Sequence, residues 1–191
     1  MVSAFALAHG IAREQFRRAM RTLLTFLTAA ALLTGTAIAA ELKVGDSAPA
    51  ITGTTDTSKP LDLGMVYKNQ KYTLVYFYPK AYTSGCTAQG CSLRDAYDEL
   101  TKRGVAVVGV SVDTVEAQRG FKELNHFQFP LISDTDHKVM DAFGVPLNRN
   151  AAQRSAYLVS DGKIVYADYT GTTDKQGETI LKVIGDLEAK K

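Results

Sequence analysis

The chain has 191 residues, and its length suggests one folded domain. Residues 1–40 hold four Arg and one Glu, so residues 41–191 hold 18 basic and 19 acidic residues and are close to neutral. This balance argues against the strongly basic surface of a nucleic-acid-binding or anionic-membrane-binding protein.

The first forty residues have the layout of a secretory signal peptide. Four arginines precede an apolar run over 23–33, and an Ala-Ile-Ala motif over 37–39 predicts cleavage near Ala39 or Ala40. Met20 is an alternative start, because the residues after it already form a complete signal.

A retained membrane anchor is the alternative reading of this segment. The uncharged stretch over 22–40 is short for a membrane-spanning helix, and it contains five threonines and a glycine. We therefore predict a cleaved signal over 1–40 and an exported domain over 41–191, in the periplasm of a bacterium.

The remaining patterns predict an alternation of strands and helices. Residues 42–63 are rich in Thr, Ser, Asp, Gly and Pro and suggest an irregular segment with one short hairpin. The elements expected after it are a buried central strand over 72–78, a helix from Thr83 or Ser84 to Lys102, a buried strand over 104–112, a helix from the capping-box-like segment 113–116 to Asn125, a short strand over 130–133, a helix from Asp134 or Asp136 to Gly144, a hairpin of 155–159 and 164–168, and a last helix over 175–189.

This order predicts an α/β domain with a mixed central sheet flanked by helices. Crossover helices produce parallel strand pairs, and the Asp161-Gly162 turn produces an antiparallel pair. In an open α/β sheet, functional sites form beyond the carboxyl ends of the strands. The segment that follows the strand over 72–78 is therefore the first place to look for chemistry.

That segment contains Cys86 and Cys91, the only two cysteines in the chain. Cys86 falls in the first turn of a predicted helix, where unpaired backbone N–H groups and the helix dipole favour a thiolate.

For an exported protein, a structural disulfide is the default interpretation of two cysteines. On one regular helix, however, their Cα atoms would lie about 8–9 Å apart, whereas a disulfide needs less than about 7 Å. The pair can close only if the helix unwinds.

Thr83 and Pro79 accompany Cys86 in a P-x-x-x-T-x-x-C pattern. The Thr83 hydroxyl could face the sulfur or a bound oxygen, and it could equally cap the helix. Pro79 ends the strand. It could also shield a thiolate from water, or ending the strand could be its only role. A cation would stabilise the thiolate, and the candidates are Lys80, Arg94, Arg149 and Arg154. Arg154 is favoured, because a charge that leads directly into an apolar strand usually has a role.

The segment over 76–95 resembles the peroxiredoxins, and more narrowly the bacterioferritin-comigratory branch with both cysteines on one helix. The similarity extends over most of 41–191, including Val-Gly-Asp-Ser-Ala-Pro at 44–49, Gly-Val-Ser-Val-Asp at 109–113, Leu-Ile-Ser-Asp-Thr-Asp-His at 131–137 and Phe-Gly-Val at 143–145.

The resemblance implies a thioredoxin-like fold and a thiol peroxidase that reduces hydrogen peroxide and organic hydroperoxides. It implies that Cys86 is the peroxidatic cysteine, Cys91 the resolving cysteine that joins it in an intramolecular disulfide, and Thr83, Pro79 and Arg154 the substrate pocket. It also implies that a thioredoxin-like dithiol protein reduces the disulfide. We expect no cofactor or metal, no nucleic-acid or stable membrane partner, and a monomer.

The chain departs from the family pattern at several positions. Ser84 stands where proline is common, and Gln89 and Gly90 stand where Glu and Ala are frequent. Glycine inside a helix costs about 1 kcal/mol relative to alanine, so we hypothesise that Gly90 eases the unwinding that lets Cys91 reach Cys86. The connection between Val145 and Arg154 is short, which keeps Arg149 as a reserve candidate.

Two alternative functions stay open at this point. A thiol–disulfide oxidoreductase usually carries C-x-x-C, whereas this spacing is C-x₄-C. The other alternative is a non-catalytic exported domain with a structural disulfide. His126 and His137 fit surface or capping positions better than a Cys–His pair, and the sequence contains no zinc, iron–sulfur or nucleotide-binding pattern.

Overall fold

The computed structural model describes residues 41–190. The predicted signal peptide lies outside the described residues, so cleavage and export stay predictions. Within 41–190, no helix combines the length and apolar character that crossing a bilayer requires.

The described residues form a mixed sheet flanked by helices. The strands are β1 (Thr52–Thr55), β2 (Pro60–Asp62), β3 (Tyr72–Phe77), β4 (Val105–Ser111), β5 (Leu131–Ser133), β6 (Leu147–Asn148), β7 (Ala151–Ala152), β8 (Ser155–Ser160) and β9 (Lys163–Asp168). The helices are α1 (Leu63–Asn69), α2 (Ser84–Asp95), α3 (Tyr97–Lys102), α4 (Val115–Asn125), α5 (Lys138–Phe143) and α6 (Gln176–Glu188).

Seven of these strands form one sheet in the order β2-β1-β5-β4-β3-β8-β9. The pairs β3/β4 and β4/β5 are parallel, and the pairs β1/β2, β1/β5, β3/β8 and β8/β9 are antiparallel. Strands β6 and β7 form a separate small hairpin. The predicted mixed sheet is confirmed, as is the hairpin whose turn places Asp161 and Gly162 at positive φ.

Two hydrophobic cores cover the two faces of the sheet. Strand β3 is buried along its whole length, and its side chains alternate between the cores. Tyr72, Leu74 and Tyr76 pack with helices α2, α3, α4 and α6, whereas Val75 and Phe77 pack with α1 and α5. Burial on both faces explains why this segment reads as a continuous apolar and aromatic run.

The predicted single helix from Thr83 or Ser84 to Lys102 is wrong, because the chain forms two helices separated at Ala96. The backbone N–H of Gly177, at the start of α6, donates to Ser92 Oγ at this point. A Cβ on Gly177 would lie 2.4 Å from the Ser92 carbonyl oxygen and 2.7 Å from the Ala96 Cβ. This close tertiary packing is not visible in the local sequence.

Side-chain caps determine where two further helices begin. Helix α1 was not predicted and begins where Asp62 accepts hydrogen bonds from the backbone of Gly64 and Met65. Helix α4 begins within the predicted segment 113–116, where the N-cap residue Thr114 accepts a hydrogen bond from the backbone N–H of Ala117.

The strand register brings four chain segments to one edge of the sheet. Strand β3 ends at Phe77, which pairs with Ser155, the first residue of β8. The last residue of β9, Asp168, pairs with Ala156, and β4 runs parallel to β3 and ends at the same edge. Arg154 therefore lies at the edge where the segment after β3 leads into α2.

Candidate active site

Cys86 lies in the first turn of α2 and is 1% exposed. The N-cap position of the helix is Thr83, whose side chain makes no capping hydrogen bond. Its hydroxyl donates instead to the Lys80 carbonyl oxygen at 2.9 Å. The backbone N–H groups of the first turn have no acceptors within the helix. An N-cap side chain usually accepts a hydrogen bond from one of them, but the Thr83 side chain does not.

Arg154 provides the cation beside this sulfur. Its Nη2 donates to Cys86 Sγ at 3.3 Å, from a half-buried position immediately before β8. A guanidinium is always charged and only donates hydrogen bonds, so this contact stabilises a thiolate more than a thiol. The structure therefore brings together the predicted thiol and the favoured arginine.

Two buried glutamines hold the other side of the guanidinium. Arg154 Nη1 donates to Gln89 Oε1 at 2.5 Å, and Gln89 Nε2 donates to Gln176 Oε1 at 2.7 Å. Both glutamines are fully buried. Sequence reasoning missed them as site residues.

The loop between β9 and α6 covers the aliphatic part of Arg154. The Asp168 carboxylate accepts hydrogen bonds from the backbone N–H groups of Thr170, Gly171 and Thr172. Gly171 has φ +63, and a Cβ there would lie 2.2 Å from Arg154 Cγ. The backbone of the loop can approach the arginine this closely only because residue 171 is glycine.

The pKa of Asp168 reflects this loop geometry. Burial by itself would raise the pKa, but the hydrogen bonds from the three backbone N–H groups outweigh it, and the pKa lies below its ordinary value. The ionised carboxylate is therefore the form that stabilises the loop.

A second network supports the segment between β3 and α2. The Ala81 N–H donates to the Asp113 carboxylate at 2.8 Å, and Ser111 donates to the same oxygen at 2.7 Å. Gln118 in turn donates to the Ser111 hydroxyl and accepts a hydrogen bond from Tyr78. These bonds join the segment to the end of β4. Pro79 lies half-buried within the supported segment.

Cys91 lies later on the same helix and is partly buried. Its thiol is 3.9 Å from Asn125 Oδ1, at the end of α4. Both cysteines are free, as expected for Cα atoms that helix geometry holds beyond disulfide range.

Gly90, the residue before Cys91 on α2, is packed tightly against the ring of Phe127. A Cβ there would lie 2.3 Å from Cζ of the Phe127 ring. Phe127 belongs to an aromatic cluster in which it stacks on Phe129 at 5.2 Å and meets Phe121 edge-on at 5.2 Å. Glycine at position 90 thus allows close packing, a role that the sequence did not indicate.

The tyrosines beneath the helix are held in their neutral form. Burial raises the pKa of Tyr76 far above its ordinary value. Burial also raises the pKa of Tyr78. Neither hydroxyl adds a negative charge near the sulfur at neutral pH.

The other candidate cations and the histidines lie elsewhere. Lys80 is exposed, Arg94 pairs with Asp95, and Arg149 is exposed in the turn between β6 and β7. His126 is exposed at the C-cap of α4 and His137 is the N-cap residue of α5, which are the surface and capping positions expected for them. Within residues 41–190, no group of three or more His, Cys, Asp or Glu side chains is arranged to hold a metal ion.

Comparisons with known proteins give consistent results. The model of the AhpC/TSA family matches residues 44–167. The chain is 41% identical over 148 residues to Peroxiredoxin Bcp of Escherichia coli strain K12, covering 73% of this chain and 94% of that protein.

Solved structures show the same likeness. The structure of Peroxidoxin BcpB from Mycobacterium tuberculosis matches with a TM-score of 0.71 at 26% identity, covering 76% of this chain and 98% of that one. A structure of the Xanthomonas campestris bacterioferritin comigratory protein, described for its alkyl peroxide reduction activity, matches with a TM-score of 0.68 at 26% identity, covering 78% and 98%. The predicted thioredoxin-like fold is confirmed.

We predict that Gly171→Ala slows the reaction of Cys86 with hydrogen peroxide by about tenfold or more, because the new Cβ displaces Arg154 from the sulfur. The measurement is the second-order rate constant by stopped-flow. Gly162→Ala is the matched control: Gly162 has φ +71, but a Cβ there meets nothing within 4 Å. Both variants lose about 1 kcal/mol of stability from backbone strain, and equal rate constants in the two would contradict the prediction.

We predict that Asp168→Asn destabilises the protein by about 1–2 kcal/mol at pH 7, because the loop loses charge-assisted hydrogen bonds. Since the folded pKa of Asp168 is lowered, its contribution is fully present above its unfolded pKa of about 3.9 and is lost as the pH falls through the folded pKa. Urea unfolding across pH 7 to 2.5 should therefore show the difference between the two proteins shrinking below about pH 4.

Asp174→Asn serves as the control for this titration, because Asp174 is an exposed carboxylate of the same loop. We expect the unfolding free energy of the Asp174→Asn variant to stay within about 0.5 kcal/mol of that of the unsubstituted protein. The role given to the ionised carboxylate is refuted if the difference in unfolding free energy between Asp168→Asn and the unsubstituted protein stays constant, or grows, down to pH 2.5.

Proposed function

This chain belongs to the AhpC/TSA family and is a peroxiredoxin, an enzyme that reduces hydroperoxides; from that premise we propose that Cys86 is its peroxidatic cysteine and Cys91 its resolving cysteine. The observation that carries the proposal is the 3.3 Å hydrogen bond from Arg154 to the Cys86 sulfur, at a helix start whose N–H groups can bind a substrate oxygen.

In the first step, the Cys86 thiolate attacks the terminal oxygen of the hydroperoxide. A sulfur–oxygen bond forms, the O–O bond breaks, and the leaving oxygen departs as water or an alcohol after it takes up a proton. Cys86 becomes a sulfenic acid. Arg154 and the first-turn N–H groups stabilise the negative charge that develops on the two oxygens. Thr83 completes the pocket, because its hydroxyl, which donates to the Lys80 carbonyl oxygen, can accept a hydrogen bond from the bound peroxide.

In the second step, the Cys91 thiol loses its proton and its sulfur attacks the sulfenic sulfur; the S–O bond breaks, the leaving hydroxide takes up the proton and departs as water, and a disulfide joins Cys86 to Cys91. Both residues lie on α2, whose geometry holds their Cα atoms about 8–9 Å apart. The helix has to unwind in each cycle, which removes Cys91 from Asn125 and Gly90 from the Phe127 ring.

The cycle ends when an external dithiol protein of the thioredoxin type reduces the disulfide. If the predicted signal peptide directs export, this reductant has to be present outside the cytosol. We include both hydrogen peroxide and organic hydroperoxides as substrates, supported by the alkyl peroxide reduction described for the Xanthomonas campestris relative. We propose that the enzyme acts as a monomer, since both cysteines of the cycle come from one chain.

We predict that Cys91→Ser accumulates a sulfenic acid on Cys86 after one equivalent of hydrogen peroxide, because no second thiol remains to displace water. A dimedone-type probe followed by mass spectrometry detects the adduct. Cys86→Ser is the matched control, and its remaining Cys91 should stay unlabelled.

The same experiment separates the alternatives. A thiol–disulfide oxidoreductase or a non-catalytic domain with a structural disulfide would give no adduct in Cys91→Ser and no peroxide-dependent disulfide in the unsubstituted protein. An absence of labelling together with full peroxide resistance of Cys86 would refute the proposal.

We predict that alanine at position 90 slows formation of the Cys86–Cys91 disulfide by about fivefold, since it stabilises the helix that has to unwind by about 1 kcal/mol. Because a Cβ at position 90 collides with Phe127, the comparison is made between Phe127→Leu and the double variant Gly90→Ala/Phe127→Leu, in which the shorter side chain makes room. Stopped-flow fluorescence or acid-quenched mass spectrometry gives the rate. Equal rates in the two proteins would contradict the unwinding role of Gly90.

A further inference from the structure

The C-terminal turn of α4 packs against the second half of α2. Helix α4 ends at Asn125, and His126 follows in the left-handed conformation with φ +56. The backbone N–H groups of His126 and Phe127 donate to the carbonyl oxygens of Glu123 and Lys122, which is the hydrogen-bond pattern of a Schellman motif. These bonds fix the backbone of the turn that faces α2.

Asn125 makes three hydrogen bonds at this turn. Its Nδ2 donates to the Phe121 carbonyl oxygen at 2.8 Å, and its Oδ1 lies 3.9 Å from Cys91 Sγ. Its backbone carbonyl oxygen accepts from Arg94 Nη1 at 3.0 Å. Cys91 and Arg94 are three residues apart and lie on one face of α2. One residue of α4 therefore holds both of them, the cysteine by its side chain and the arginine by its backbone.

The orientation of the Asn125 amide follows from its partners. A backbone carbonyl oxygen only accepts, so Nδ2 has to face Phe121 and Oδ1 has to face Cys91. Oδ1 also only accepts, so the Cys91 thiol is the donor of this contact. The contact therefore exists only while Cys91 carries its proton, whereas the nucleophile of the resolving step is a thiolate.

The contacts of α2 on either side of Cys91 have different fates in the proposed cycle. Ser92 Oγ accepts from the backbone N–H of Gly177, and Arg94 donates to the backbone of Asn125. Both residues follow Cys91 in the chain, so their contacts can persist while the turns before Cys91 unwind. The hydrogen bond between Cys91 and the Asn125 side chain has to break.

We propose that Asn125 is a positioning residue of the resolving step, whose side chain holds Cys91 in the folded helix as a protonated thiol and whose release of Cys91 limits disulfide formation. Its backbone carbonyl oxygen retains Arg94, so the turn after Cys91 stays in place while the cysteine moves. This inference rests on the proposed function in taking Cys91 as the resolving cysteine.

The first test is the rate of Cys91 alkylation by iodoacetamide at pH 7, in a Cys86→Ser background where Cys91 is the single thiol. Asn125→Ala removes the side-chain acceptor and keeps the backbone carbonyl oxygen that holds Arg94. We expect it to speed alkylation by about threefold, since the lost hydrogen bond is a modest one with a weak donor. Asn125→Asp keeps an acceptor and should react no faster than the protein with Asn125.

Leu124→Ala is the matched control, because Leu124 is the neighbouring residue of α4 and is exposed. Its alkylation rate should equal that of the protein with Leu124. Any result for Asn125→Ala other than faster alkylation overturns the proposal, as does an Asn125→Asp or Leu124→Ala protein that reacts as fast as Asn125→Ala.

Thermal unfolding verifies that each variant is folded. Alanine has a higher helix propensity than asparagine, so Asn125→Ala should preserve α4. If it does not fold, Asn125→Ser replaces it, because the shorter side chain also withdraws the acceptor from Cys91.

The second test uses the protein with both cysteines and one equivalent of hydrogen peroxide. Acid-quenched mass spectrometry separates formation of the Cys86 sulfenic acid from formation of the disulfide. We expect Asn125→Ala to raise the rate of the second step relative to the first by about threefold. An equal change in both rates would indicate a general structural effect and would overturn the proposal.

The alkylation comparison needs no peroxide, so it is independent of the peroxidase cycle. If no sulfenic acid forms on Cys86, the proposed function is refuted, and the alkylation rates still decide whether Asn125 holds Cys91. If the sulfenic acid and the disulfide both form but neither rate responds to Asn125→Ala, only the role of Asn125 is refuted.

Discussion

The hydrogen bond between Arg154 and Cys86 joins two residues that are 68 positions apart in the chain. It exists because β8 pairs antiparallel with β3, so that the first residue of β8 lies beside the last residue of β3. A shift of this register by one residue would turn the side chains of β8 to the opposite face of the sheet and would move the arginine away from the sulfur. The long-range pairing of two buried strands is therefore the constraint on which the chemistry depends.

Helix α2 has to satisfy two opposing requirements. In the folded helix, Cys86 contacts Arg154, Gln89 supports that arginine, and Cys91 lies beside Asn125. The unwinding that a disulfide requires disrupts this arrangement, because all three residues of α2 belong to the same 12-residue helix. In the proposed cycle, the state that reacts with peroxide and the state that forms the disulfide are thus mutually exclusive, and the stability of one short helix sets the balance between them.

The sequence was sufficient for the features that depend on local pattern. The buried strand before the site, the cysteine in the first helical turn and the hairpin with Asp161 and Gly162 could all be predicted, because each follows from the residue types at neighbouring positions. The support of Arg154 by Gln89, Gln176 and Gly171 could not be predicted in this way. These contacts depend on how α6 and its preceding loop pack against α2, which no local pattern encodes.

The burial of Cys86 bears on which reaction the site can perform. A sulfur in a side chain that is 1% exposed is not accessible to the disulfide of a folded protein while α2 is intact. The thiolate-stabilising contact with Arg154 exists in that same intact state. Cys86 is therefore not accessible to a large substrate in the state in which Arg154 stabilises its thiolate. A thiol–disulfide oxidoreductase needs an attacking cysteine that is both activated and accessible. The proposed peroxidase cycle needs a large partner only after the helix has unwound and the activated thiolate has already reacted.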